Sequence, residues 1–429
     1  MTNRIFAAVA FVFLVSLLSC AGSARSRQTV LLFSNDPNDY YDHGVMHKKE
    51  GNSYLAVAHF TQAIRMDPNY VHAYLRRGFV HYEMRKYDLA VADFNKALAL
   101  SPELGEAHYG RGLAHYGRGN LGLAIADFSR AIMLGWGNAP AYYHRAVANE
   151  TEGNIELAIE DYDRAIRMDP EYVSAYLGRG NAYLSIGNLA MAGADFTLVI
   201  LIAPKGPNVV EAYAGRGEVY RLKGNVDAAI SDLTRAIRLD PSEGSSYVNR
   251  GLAYYDRGNV DLAIVDYSQA ILIQPKEAET YMLRASAYEK TDNLNLAVAD
   301  YNRAIRLRPG YAEAYNNRGL IRQNMGDLSL AVADFSQAIR HDGNFADAYY
   351  NRGLAYQESG NLDRAIADYG HAIGLEPGNA SAHYNRGNAH RQRGNVDLAI
   401  ADWETALRLN PNYEYARNFI EEARRERGR

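Results

Sequence analysis

The sequence lacks several features that catalytic and nucleic-acid-binding proteins need. It has one cysteine, Cys20, in 429 residues, which excludes a disulfide framework. It has no Gly-x-Ser-x-Gly nucleophile elbow and no Walker A loop. Lys and Arg number 46 against 50 Asp and Glu, and no Lys/Arg-rich run is available to neutralise several phosphates at once. We therefore expect neither an enzyme nor a bound cofactor, and nucleic acid is not an expected partner.

The N-terminus carries one positive residue, Arg4, followed by a hydrophobic stretch of 14 residues from Ile5 to Leu18. A membrane-spanning helix needs about 20 residues, so this stretch is too short to be one. A short positive region followed by a hydrophobic region of this length is typical of a secretory signal peptide. The sequence therefore predicts a signal peptide at residues 1–19.

The string LLSC, which ends at Cys20, resembles the lipobox of bacterial lipoproteins, in which the cysteine becomes the acylated first residue of the mature chain. The resemblance implies that Cys20 is a lipidation site and that residues 20–36 form a lipidated tether. Ala21 follows the cysteine in place of Asp, and by resemblance to the enterobacterial sorting rule this implies the outer membrane of a bacterial cell envelope. An ordinary signal peptide followed by a chance cysteine is the alternative.

From Pro37 onward the sequence repeats itself every 34 residues, with aromatic, Gly, aromatic, Gly, Ala, aromatic, Ala and Pro as the recurring residues at positions 4, 8, 11, 15, 20, 24, 27 and 32. In the seventh repeat these residues are Tyr247, Gly251, Tyr254, Gly258, Ala263, Tyr267, Ala270 and Pro275. The eleven repeats are 37–70, 71–104, 105–138, 139–172, 173–209, 210–243, 244–277, 278–311, 312–345, 346–379 and 380–413.

The spacing within one repeat predicts a pair of antiparallel helices. At 100° per residue, positions 4, 8 and 11 lie on one side of a first helix, and positions 20, 24 and 27 lie on one side of a second. A Gly-Asn pair such as Gly119-Asn120 permits the turn between them, and proline at position 32 ends the second helix. Because one hairpin cannot bury its own apolar stripe, the repeats must stack on one another.

These positions resemble the signature of the tetratricopeptide repeat. The resemblance implies an all-α fold, a right-handed α–α superhelical solenoid of eleven helix-turn-helix units over 37–413, with a capping helix at 414–429. It also implies a concave groove, lined by positions 2, 5, 9 and 12 of the first helices, in which peptides bind. The fifth repeat departs from the pattern, because Val199 replaces an alanine and the linker 204–208 carries three extra residues. Either a local change of superhelical path or a tolerated loop insertion accounts for this departure.

Candidate binding residues are the tyrosines of the expected groove that the packing positions do not explain, because exposed aromatic side chains favour protein recognition. They occupy position 5 in five repeats and position 12 in three: Tyr41, Tyr109, Tyr143, Tyr350 and Tyr384, and Tyr82, Tyr116 and Tyr255. Packing of these rings against adjacent repeats is the alternative. Asparagines at position 6 resemble the ladder that binds extended peptide backbones in some family members: Asn249, Asn317, Asn351 and Asn385. No repeat has Lys at position 2 or 5, so we do not expect the carboxylate clamp that holds chaperone tails.

In repeats two to eleven, position 7 is always Arg and position 23 is always Asp, as in Arg250 and Asp266. These positions lie opposite each other across the hairpin, which predicts a structural ladder of ion pairs. The first repeat has His43 and His59 at these positions, and His47 lies four residues after His43. Three converging imidazoles would suit a transition metal, although His47 also fits as a core substitute for tyrosine.

Together these patterns predict a membrane-tethered, non-catalytic scaffold or adaptor that binds proteins or extended peptides of the cell envelope through the groove. Its membrane contact is the lipid anchor. The alternative is a metal-binding or hydrolase-regulating envelope protein that uses the first-repeat histidines.

Overall fold

The structure of the protein, a computed structural model, describes residues 35–427. The predicted signal peptide and the predicted lipidation site at Cys20 lie outside the described residues. Within residues 35–427, none of the helices is both long and apolar enough to cross a membrane. The described chain consists of α-helices and their connections, with one short π-helical segment, which confirms the all-α prediction.

The helices divide between two compact units, one ending at Ala212 and the other beginning at Tyr213. The first unit contains α1 (Pro37–Lys49), α2 (Ser53–Met66), α3 (Val71–Glu83), α4 (Tyr87–Leu100), α5 (Gly105–Gly117), α6 (Leu121–Ala131), the π-helical segment (Ile132–Trp136), α7 (Ala139–Glu152), α8 (Ile155–Met168), α9 (Val173–Ser185), α10 (Leu189–Ile202) and the start of α11 (Val209–Leu222).

The second unit contains the rest of α11, then α12 (Val226–Leu239), α13 (Gly244–Asp256), α14 (Val260–Ile273), α15 (Ala278–Lys290), α16 (Leu294–Leu307), α17 (Ala312–Asn324), α18 (Leu328–His341), α19 (Ala346–Glu358), α20 (Leu362–Leu375), α21 (Ala380–Gln392), α22 (Val396–Leu409) and α23 (Glu414–Arg427). Each of the eleven repeats thus holds one odd-numbered and one even-numbered helix, and α23 follows the last hairpin.

In most repeats the two helices of a hairpin interlock through a ring at position 24 that lies against the small residue at position 8. In the ninth repeat, a Cβ added to Gly319 would lie 2.7 Å from a ring carbon of Phe335, which is fully buried. The same contact joins Gly251 to Tyr267 in the seventh repeat. The large-against-small packing expected from the sequence is therefore present, and it sets how closely the helices approach.

The turn between the two helices requires a left-handed backbone at position 15. Gly119 has a φ of 79° there, and other repeats place glycine in the same conformation. The second and eighth repeats place Arg85 and Asp292 at this position, with φ of 57° and 59°. Side chains rarely adopt this region, so these two turns carry strain that glycine would avoid.

Two repeats lack the proline at position 32, and the helix end differs in only one of them. In the third repeat, where Trp136 replaces it, α6 runs on into the π-helical segment, and Gly135 takes a φ of 84° before the next helix begins. In the ninth repeat, where Gly343 replaces it, α18 ends at His341 and Asp342 has extended backbone, as in the regular repeats. Loss of the proline alone therefore does not extend the helix.

Helix α23 covers the last hairpin, as a capping helix should. Ala416 and Ile420 are buried, and the ring of Phe419 lies 5.5 Å from that of Trp403 on α22, measured between centroids. Trp403 is itself fully buried. Apolar side chains of the last repeat that would otherwise face water are thereby covered.

Candidate binding surface

The predicted ion pairs form in all ten repeats that carry them. In each, Nε and Nη2 of the position-7 arginine donate to the two carboxylate oxygens of the position-23 aspartate, at 2.5 to 3.1 Å. The aspartates are buried, as Asp266 is. Such two-pronged pairs fix both side chains, which confirms a structural ladder.

A third arginine nitrogen connects neighbouring repeats, which the sequence analysis missed. Nη1 of Arg250 donates to Thr234, at position 25 of the preceding repeat, over 3.1 Å. The same bond is made by Arg77, Arg111, Arg145, Arg179, Arg284, Arg318 and Arg352 to Thr61, Asn95, Ser129, Asp163, Ser268, Asn302 and Ser336 respectively. The available signal was that position 25 carries Ser, Thr, Asn or Asp in nine of the first ten repeats, with Gly370 as the exception.

Aromatic rings enclose the arginines. The guanidinium carbon of Arg250 lies 5.8 Å from the ring centroids of both Tyr247 and Tyr254, at positions 4 and 11. Hydrogen bonding to Asp266 raises the pKa of Arg250, against the opposing effect of burial. A permanently charged arginine held in this way is a structural group and a poor proton donor or acceptor.

The first-repeat histidines converge, but they stack on one another. The ring centroid of His59 lies 5.8 Å from that of His43 and 5.1 Å from that of His47, with nearly parallel planes. Burial, followed by the proximity of His47 and His43, lowers the pKa of His59 to about 4. In residues 35–427 no group of three or more His, Cys, Asp or Glu side chains is arranged to hold a metal ion. These rings form an aromatic stack in place of the missing ion pair.

The tyrosines of the first unit are half-buried, and they share neighbours. Tyr82, Tyr109 and Tyr116 pack against one buried cluster, which includes Leu113 and Phe128. Tyr109 also reaches the next repeat, because its ring lies 5.9 Å from that of His144.

Tyr143, in the fourth repeat, lies 5.9 Å from the ring of Tyr162 and 5.2 Å from that of Tyr172. We call Tyr82, Tyr109, Tyr116 and Tyr143 the tyrosine surface. Burial raises the pKa of Tyr109 and Tyr143, so their hydroxyls stay protonated at neutral pH and can donate hydrogen bonds.

The position-5 tyrosines are more engaged in packing than we expected from their angle around the helix. Tyr41, Tyr109, Tyr143 and Tyr350 each lie 5.7 to 5.9 Å from the position-24 ring of their own repeat. The position-24 ring is large enough to extend beyond the packing positions 4, 8 and 11 and to contact the side chain at position 5. These tyrosines therefore combine packing and partial exposure, and the packing alternative is partly correct.

In the second unit, the remaining candidate tyrosines have local partners. Tyr384 packs at 5.2 Å from Tyr413 and at 6.4 Å from Phe419. Tyr255 lies under the ammonium group of Lys290, which is 4.9 Å from its ring centroid. These rings are half-buried as well.

The asparagine ladder is only partly available to a partner. Asn351 is buried, and its side-chain NH₂ donates to Asn316 of the preceding repeat over 3.0 Å. Asn385 donates to the hydroxyl of Tyr350 over 2.8 Å. Asn249 and Asn317 are partly exposed. The structure thus corrects the ladder hypothesis for Asn351 and Asn385, whose amides connect neighbouring repeats.

Sequence models of this repeat type match most of the chain. Those described as "Tetratricopeptide repeat" match residues 40–70, 79–143, 173–205 and 350–414. One described as "TPR repeat" matches residues 151–187, 217–256, 251–292, 290–326 and 324–360. No curated protein matched the chain.

Similar solved structures include one chain of the APC/C hetero-tetramer Cut9-Hcn1, at 16% identity over 92% of this chain and 91% of that one, with a TM-score of 0.45. MamA is 30% identical over 38% of this chain and 96% of its own, with a TM-score of 0.37. YrrB, described as a TPR protein with an unusual peptide-binding site, is 20% identical over 43% of this chain and 96% of its own, with a TM-score of 0.39. From the sequence-model matches, the chain belongs to the tetratricopeptide repeat family, whose repeats indicate a scaffold for protein–protein interaction.

Proposed function

We propose that the protein is a non-catalytic adaptor, tethered by a lipid at Cys20, that binds protein or peptide partners of the bacterial cell envelope through the tyrosine surface. The observation that carries the proposal is the grouping of half-exposed tyrosines on the first helices of three successive repeats. Tyrosine combines a large apolar ring with a hydroxyl donor and loses little conformational entropy on binding, which suits it to partner recognition.

Site-specific photocrosslinking tests the binding surface. A photoreactive phenylalanine analogue at Tyr116 should give discrete adducts with envelope proteins in intact cells, because this ring is partly open to solvent. The matched control is the same analogue at Leu123, which is 55% exposed on α6 outside the tyrosine surface. Equal adducts from both positions, or none from Tyr116, would place recognition elsewhere.

Fractionation tests the tether separately. Cys20→Ala should release a folded protein from the membrane fraction, because two lipid chains provide stable anchoring and no described helix crosses the bilayer. Circular dichroism checks that the released protein keeps its helices. Retention of the folded variant in membranes would remove the lipoprotein proposal and leave the binding proposal intact.

A further inference from the structure

The exposed face of α10 is unlike that of every other second helix. Positions 18, 19, 22, 26 and 29 lie on the solvent side of these helices, and in the fifth repeat all five are exposed apolar residues: Ala190, Met191, Ala194, Leu198 and Leu201. In each of the other ten repeats, these positions include at least one polar or charged side chain. Leu201 is 69% exposed, and Ile202 at the end of the helix is 38% exposed.

An apolar helix face of this kind is unfavourable in water unless something covers it. The face lies in the repeat that also departs from the pattern at Val199 and in the linker 204–208. Val199 is fully buried, so it does not explain the exposed residues. The other repeats show that this fold does not require an apolar face here, because position 26 in them is always a polar or charged residue: Lys, Arg, Gln, His or Thr.

The neighbouring helix α8 carries a divided charge pattern beside this face. Its exposed charged residues are Glu156 and Glu160 in the first half and Arg164 and Arg167 in the second half, beside the exposed Leu157 and Met168. Arg179 holds the two helices together, because one guanidinium bonds Asp163 on α8 and Asp195 on α10. The charged residues of α8 are therefore held in a fixed position beside the apolar face of α10.

We infer that the α10 face binds the same face of a second copy of this chain, with the two α10 helices antiparallel about a two-fold axis. The face carries no charge, so it meets its own copy without like-charge repulsion. In the same arrangement α8 lies antiparallel to α8 of the partner copy. The acidic half of each α8 then faces the basic half of the other. An apolar centre with a charged rim is the usual composition of a homodimer interface.

Sedimentation velocity on the full chain tests the inference, with Cys20→Ser in every sample so that lipid cannot cause association. The parent should show a concentration-dependent monomer–dimer equilibrium. A variant with Leu198→Glu and Leu201→Glu should raise the dissociation constant at least about a hundredfold, because it places unpaired negative charges in the apolar centre of the interface. The matched control is Leu272→Glu, which changes a 77% exposed leucine at position 29 of α14 and should leave the dissociation constant unchanged.

A charge-swap rescue identifies the occupant as a second copy. The variant with Leu198→Lys and Leu201→Lys should also be monomeric, and mixing it with the glutamate variant should restore dimers. Unchanged circular dichroism shows that these surface changes leave the fold intact. A parent that stays monomeric at every concentration, or variants that dimerise like the parent, would overturn the inference. A monomeric parent that binds phosphatidylglycerol vesicles, with binding lost in the glutamate variant, would assign the face to lipid instead.

Discussion

Removing one arginine of the ladder should destabilise the protein more than removing the arginine together with its aspartate. In the seventh repeat, the side chains of Arg250 and Asp266 are 18% and 4% exposed. Arg250→Ala leaves the Asp266 carboxylate buried without its two main donors, and it also deletes the bond to Thr234. The double variant Arg250→Ala with Asp266→Ala removes the stranded charge.

The magnitude follows from the burial of the pair. Breaking one partner of a buried ion pair costs about 3 to 5 kcal/mol, whereas replacing both partners by apolar groups is often close to neutral. The double variant still loses the inter-repeat bond and the packing between the tyrosines, each worth about 1 kcal/mol. We therefore expect the single change to cost about 2 kcal/mol more than the double change.

Hydrogen exchange is the appropriate assay, because long repeat arrays need not unfold in a two-state manner. Protection in α13 and α14 should fall by about a hundredfold or more in the single variant, since about 1.4 kcal/mol corresponds to a factor of ten. The matched control is Arg257→Ala in the same repeat. Arg257 pairs with Asp227, and the two side chains are 50% and 79% exposed, so this ion pair should contribute little to stability. Equal or greater loss of protection in the double variant would refute the argument from a stranded buried charge.

Three further changes have defined outcomes. Gly370→Ser should raise the free energy of unfolding by about 1 kcal/mol, because the serine hydroxyl gives Nη1 of Arg386 the acceptor that it lacks in this repeat. A Cβ added at Gly370 would lie 3.8 Å from that nitrogen, and urea unfolding measures the change in free energy. Gly319→Ala should lower it by about 1 to 3 kcal/mol, because the new methyl would overlap the ring of Phe335. The first hairpin should lose stability as the pH falls from 6.5 towards 4, since His59 binds a proton more readily when unfolded; hydrogen exchange in α1 and α2 measures it.

Each of these predictions has a control within the chain. Gly374→Ser changes a glycine of the same helix that has no neighbour within 4 Å, so it should give only the gain in helix propensity. Gly374→Ala serves the same purpose for the Gly319 variant and should stabilise. His59→Phe keeps the ring stack and should reduce the pH dependence between 6.5 and 4. If the Gly370→Ser and Gly374→Ser variants show the same increase in the free energy of unfolding, the added hydrogen bond contributes nothing.

The contacts that recur inside each helical hairpin can be predicted from the sequence. The pairing of positions 7 and 23 follows from their place across the turn, and the contact of Gly319 with Phe335 follows from a small residue opposite a ring. The capping role of α23 follows from Phe419 and its neighbours on one side of an otherwise charged helix. These features depend on helical periodicity and on the hairpin alone, and both are readable from residue spacing.

The sequence analysis missed contacts that depend on stacking between repeats. The bond from Arg250 to Thr234 and the bond from Asn385 to Tyr350 both join side chains of different hairpins. A helical wheel gives the direction of a side chain but neither its reach nor the offset between stacked hairpins. For the same reason the wheel separated position 5 from the packing stripe, whereas the ring of Tyr369 extends far enough to contact Tyr350.

Function in such a chain is best sought where repeats differ, because the shared residues are already used by the fold. The arginine at position 7 and the aspartate at position 23 form the same ion pair in every repeat that carries them, so they cannot distinguish one surface from another. The tyrosine surface depends instead on positions 5 and 12, which are aromatic in some repeats and not in others. The α10 face depends on position 26, where Leu198 replaces the polar or charged residue of every other repeat, together with the exposed Leu201 at position 29. A uniform ladder can keep the hairpins in register while these variable positions diverge, so one scaffold can present two separate surfaces to different partners.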